Sequence, residues 1–79
     1  MLTNIELLNN SEENLKWLNY NYPKIQEEFA DNLIAIKNKM IVANARKIED
    51  VLAILKRRNI VQEEVLIELI RPKNEITIL

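Results

Sequence analysis

The chain has 79 residues and a mass of 9.3 kDa, with 11 Lys and Arg against 12 Asp and Glu, and no cysteine, histidine or glycine. Those absences exclude disulfides, thiol chemistry, Cys- or His-ligated metal centres, histidine-based triads and the glycine loops that cradle phosphates. A net charge of −1 gives no overall pull towards nucleic acid or anionic membrane.

Taken in chain order, Thr3 to Glu6 fits a capping box, and Asn9 and Asn10 then break that short turn. Ser11, followed by Glu12 and Glu13, starts a helix whose first N–H groups the hydroxyl can cap. Leu15, Leu18, Tyr22, Ile25 and Phe29 follow at steps of three and four, which is one face of an amphipathic helix. Pro23 interrupts the stripe, so two helices are expected, near 11–21 and 23–30. Leu33–Ile36 and Met40–Ala43 are apolar runs separated by Lys37, Asn38 and Lys39, a β-hairpin with Asn38 in its turn. Runs this apolar belong to strands covered on both faces, or covered on one face by an oligomer partner.

Ile48, Val51, Leu52 and Leu55 mark a second amphipathic helix over 46–58. Glu49 and Asp50 lie in its first turn and Lys56, Arg57 and Arg58 in its last, which suits the helix dipole. In a chain without glycine, Asn59 is the residue expected to take the left-handed position after this helix, with Ile60 as its hydrophobic follower. Val65–Ile70 is the strongest strand, Arg71–Asn74 a turn, and 75–79 a last strand.

The expected fold is α+β, in the order α-α-β-β-α-β-β, one small sheet with its helices packed on one face. Residues 1–79 form one domain, in which 1–10 is a short N-terminal turn and 11–79 the core. A variant reading is a ubiquitin-like grasp in which strand 75–79 is central and pairs with 33–36. No apolar run is long enough to span a membrane, and the N-terminus lacks the basic and apolar regions of a signal peptide, so a cytoplasmic protein is expected.

The segment WLNYNYPKIQEEFADNLIAIKNKMIVANARKIEDVLAILKRRNIVQEEVLIELIRPKNEITIL, residues 17–79, resembles a family of short archaeal and bacterial proteins classed only as a domain of unknown function. That family's pattern is an aromatic–Leu helix with an Asn-Tyr-Pro-like step, a hairpin, a capped helix and a strand ending in a Pro-containing turn. This chain departs from it at both glycine positions, where Asn38 and Asn59 stand, and at the aromatic of the first strand, where Leu33 stands. The resemblance implies the α+β fold. It carries no catalytic residues to transfer.

Two surfaces are candidates for function. Trp17 and Tyr20 sit on the flank of the first helix, beside the apolar stripe, and are a candidate partner-binding anchor. The competing reading is that Trp17 simply covers the edge of the sheet. Arg46, Lys47, Lys56, Arg57 and Arg58 are the densest positive cluster and a candidate nucleic-acid contact. Dipole complementation accounts for the same residues, and no aromatic is interleaved for base stacking.

The acidic pairs Glu12–Glu13, Glu27–Glu28 and Glu63–Glu64 point about 100° apart on a helix and do not converge on one proton. No metal or cofactor is expected, and no enzymatic activity. The expected function is a small protein-interaction module, a homodimer or a partner for another protein. The alternative is a nucleic-acid-associated regulator, such as an antitoxin-like protein, using helix 46–58.

Overall fold

The computed structural model describes residues 4–73, with side chains from Ser11 onward. Helix α1 spans Asn4–Phe29, strands β1 and β2 are Leu33–Lys37 and Met40–Ala45, and helix α2 is Ile48–Arg57. A single 3-10 turn at Gln62–Glu64 leads into strand β3, Leu66–Leu69. The α+β class and the single sheet are as the sequence implies. Thr3 and the strand expected at 75–79 lie outside the described residues.

The first helix is one element where two were expected. It runs through Asn9, Asn10, Ser11 and Pro23 without a break. An asparagine costs a helix less than about 1 kcal/mol, so two of them do not end it. Pro23 costs about 3 kcal/mol by the same scale, and two features offset it. Its ring lies on the exposed side, where water can satisfy the carbonyl it leaves unbonded. Trp17 and Leu18 before it and Ile25 and Phe29 after it pack into one cluster, so both halves are held on one axis. At 26 residues α1 is about 39 Å long, which matches the 41 Å long dimension of the molecule.

The sheet order is β2-β1-β3, antiparallel throughout. β2 and β3 are therefore parallel to each other with β1 between them, a split β-α-β arrangement. Both edges of β1 are occupied, by β2 and by β3, so the ubiquitin-like variant in which 75–79 pairs with 33–36 is excluded. The pairing of β1 with β3 continues past the strand ends. Asp31 N–H donates to Ile70 O at 2.8 Å, and Ile70 N–H donates to Asn32 O at 2.9 Å.

The helices lie on opposite faces of the sheet, which corrects the expectation of one face. Successive β1 residues point to opposite sides. Ile34 and Ile36 join Leu18, Ile25 and Ile70 under α1, while Ala35 joins Ala43, Val51 and Leu55 under α2. The uninterrupted apolar run Leu33–Ile36 is thus a strand covered on both sides. Ile34 and Ile36 meet the long helix, while Ala35, with the partly buried Leu33, meets α2. α1 lies over β1 and β3, α2 over β2 and β1.

Turn chemistry follows the absence of glycine. Asn38 (φ 52°) and Lys39 (φ 60°) form the two-residue turn of the hairpin, both in the left-handed region as a type I′ turn requires. Asn59 (φ 57°) ends α2. Its N–H donates to Lys56 O and that of Ile60 to Leu55 O, a Schellman motif whose hydrophobic pair, Leu55 and Ile60, is part of the α2-side core.

Candidate functional site

Trp17 and Tyr20 come together on α1, and they differ in burial. Trp17 is half-buried against the α1-side core. Tyr20 is 88% exposed. Between them runs a hollow of about 410 Å3, bounded by Glu13, Lys16, Asn21 and the hairpin residue Lys39. A second hollow of about 190 Å3 continues along the same helix over Lys24, Ile25, Phe29 and Ile41, sharing Trp17 and Asn21 with the first. Together they form an open groove beside α1. It exists because α1 sits over β1 and β3, which leaves the flank of Ile41 on β2 without a helix above it.

The groove has a rigid wall. Asn14 is the one polar residue buried among those described, 3% exposed, and its Oδ1 accepts a hydrogen bond from Lys39 N–H at 2.9 Å. The hairpin turn is thereby fixed to the helix. Lys39 Nζ also meets Glu13 Oε2 at 3.4 Å across the groove mouth, an exposed pair of little energetic weight. Asn21 Nδ2 donates to Trp17 O at 2.9 Å, which ties the Asn21 side chain back to its own helix.

The opposite flank of α1 clasps the segment after β3. Arg71 N–H donates to Tyr22 Oη at 3.2 Å, Gln26 Nε2 donates to Arg71 O at 2.9 Å, and Lys73 Nζ meets Glu27 Oε1 at 3.0 Å. Lys37 Nζ and Glu64 Oε2, 3.0 Å apart and both partly buried, tie the end of β1 to the 3-10 turn.

The basic residues on and around α2 do not form one surface. Arg46 and Lys47 precede the helix and Lys56, Arg57 and Arg58 close it, so about 15 Å of helix separates the two sets. Exposed Glu49 and Asp50 sit between them. Arg58 has a structural partner. Its Nη1 donates to Val42 O at 2.6 Å, at the bulge where β2 carries an extra residue between the Ala35–Ala43 and Ile36–Ile41 pairs.

Sequence reasoning names Trp17 and Tyr20 but not Glu13, Asn14, Asn21, Lys24 or Lys39, which complete the groove. A signal exists for part of this set. Glu13, Trp17, Tyr20 and Lys24 follow one another at steps of four, three and four, a second helical row beside the buried one. Lys39 carries no such signal, since only the tertiary fold brings the hairpin to α1. Among the described residues no cluster of carboxylates could hold a metal ion, and no helix is long and apolar enough to cross a membrane.

Residues 24–73 match the model of a family of unknown function (DUF5678), and the chain belongs to that family. No curated protein and no solved structure matches it.

Proposed function

We propose that this family member is a small protein-interaction module, without catalytic activity, that docks a protein partner in the groove along α1. The observation that carries the reading is Tyr20, an aromatic side chain left 88% exposed beside the half-buried Trp17. Large aromatic side chains are the residues that most often anchor interfaces, because they bury much area and lose little rotamer freedom on binding. The surrounding groove has an apolar floor of Trp17, Ile25, Phe29 and Ile41 and a charged rim, the pattern of an interface core within a polar edge.

Site-specific photocrosslinking in cells of the source organism tests it. A benzophenone amino acid replaces Tyr20 in one variant and exposed Ala53 of α2 in another. The expected result is a discrete protein adduct from position 20, to another protein or to the chain itself, with none from position 53. No adduct at 20, or the same adducts from both positions, overturns the reading.

A further inference from the structure

We infer that the occupant of the groove is a second copy of this chain, docked so that the two α1 helices run antiparallel; this rests on the interaction reading above. The row Glu13, Trp17, Tyr20 and Lys24, exposed except for the half-buried Trp17, has steps of four, three and four, so it reads the same in both directions along the helix. A two-fold axis between Leu18 and Asn19 maps position 13 onto 24 and position 17 onto 20. Two copies related by that axis place each Trp17 against the partner's Tyr20 and each Glu13 against the partner's Lys24.

Symmetry makes every contact occur twice, as an isologous interface requires. The same operator sets Lys16 opposite the partner's Asn21, and the partner's Lys24 meets Glu13 beside Lys39, so that carboxylate is shared between two ammonium groups. A parallel pairing would instead stack Glu13 on the partner's Glu13 and Lys24 on the partner's Lys24. Charge thus selects both the partner and its direction.

The side chains are free to do this. Glu13 is exposed and, among the described residues, pairs with Lys39 across the groove mouth at 3.4 Å. Lys24 is exposed and Tyr20 nearly fully so. Antiparallel helices with rows at these steps pack at a shallow crossing angle, with the aromatic pairs at the centre and the ion pairs at the ends. The contact covers roughly three helical turns, the size class of weak and transient association.

Sedimentation velocity on the full chain, between roughly 10 and 500 µM, reads the association. Trp17 is the sole tryptophan, so its emission reports the same event. Wild type is expected to dimerise with a blue shift of that emission. Glu13→Lys and Lys24→Glu should each weaken the dimer about tenfold, because each breaks two pairs and sets like charges together.

The diagnostic results are the restorations. The double variant E13K/K24E should regain dimerisation, and an equimolar mixture of the two single variants should form a heterodimer more readily than either self-associates. Glu63→Lys, exposed on the 3-10 turn and equal in charge change, should leave the dimer as it is. Circular dichroism confirms that each variant is folded.

A wild-type chain that stays monomeric throughout overturns the second-copy assignment, and a position-20 adduct to a different protein would then leave the interaction reading standing. A dimer indifferent to the charge exchanges overturns the antiparallel α1 geometry. A monomer that also yields no position-20 adduct overturns both.

Discussion

Asn14 Oδ1 accepts the backbone N–H of Lys39 at 2.9 Å, across 25 residues of sequence, and this bond joins the hairpin turn to α1. Asn14 is 3% exposed but Lys39 is an exposed turn residue, so the N–H left behind can turn to water. Asn14→Ala is therefore expected to destabilise the protein by about 0.5–1.5 kcal/mol, the net worth of an ordinary hydrogen bond. Urea unfolding should show a lower midpoint with an unchanged slope. An unchanged midpoint would mean that the turn does not depend on this anchor.

Lys39 holds φ at 60° in the second position of a type I′ turn, where a residue with a Cβ is strained by roughly 1–2 kcal/mol. Lys39→Gly removes that strain and keeps the backbone donor that Asn14 needs. It also removes the exposed pair with Glu13, a loss of under about 1 kcal/mol. The expected outcome is a gain of up to about 1 kcal/mol, seen as a rise of several degrees in Tm for a domain of this size. Asn38→Gly should gain less, since asparagine already tolerates this region. Lys39→Val should lower Tm.

The contrast between these turn positions shows what the sequence makes legible. With no glycine available, Asn38 and Asn59 can be picked out as left-handed residues from their positions after apolar runs. Asp31 (φ 66°) and Lys39 cannot, because their conformations come from long-range ties to Ile70 and Asn14. The same division applies to α1. The local cost of Pro23 is visible in the sequence. Its compensation is not, since that comes from Ile25 and Phe29 packing with β1 and Ile70 residues that lie later in the chain.

The run Leu33–Ile36 announces a strand covered on both faces. Which helix takes which face is not announced: Ile34 and Ile36 meet α1 while Ala35 and Leu33 meet α2, and the outcome depends on β3 pairing beyond β1. At the groove, Trp17 and Tyr20 stand out by residue type and spacing. The wall they share with Lys39 exists only once the hairpin has folded back on the helix.

Tyr22 Oη accepts the N–H of Arg71 at 3.2 Å while Gln26 Nε2 donates to the Arg71 carbonyl at 2.9 Å, so one helix flank holds both backbone polar groups of that residue. Tyr22→Phe and Gln26→Ala should each cost about 0.5–1.5 kcal/mol at most, near the lower end for partly exposed bonds. The sharper readout is local. Amide exchange at Arg71 should quicken in Tyr22→Phe while core amides such as that of Ile36 are little changed. The double variant should depart from additivity, because both side chains order the same residue. Equal protection of Arg71 in wild type and Tyr22→Phe would show that the clasp does not hold the segment.

Arg58 separates structural from surface charge at the end of α2. Its Nη1 donates to Val42 O at 2.6 Å, satisfying a carbonyl at the β2 bulge, whereas Lys56 and Arg57 are exposed on the last turn of the helix. Arg58→Ala is expected to cost about 1 kcal/mol, below the range for a buried bond with a charged donor because this one is exposed. Arg57→Ala and Lys56→Ala should each change stability by under about 0.5 kcal/mol, since they lose only exposed interactions with the helix dipole. Arg58→Lys should recover little, because an ammonium cannot reproduce the planar reach of the guanidinium to that carbonyl. Equal effects at positions 57 and 58 in thermal unfolding would mean that the bulge carbonyl is served by water and that all three basic residues are surface charge.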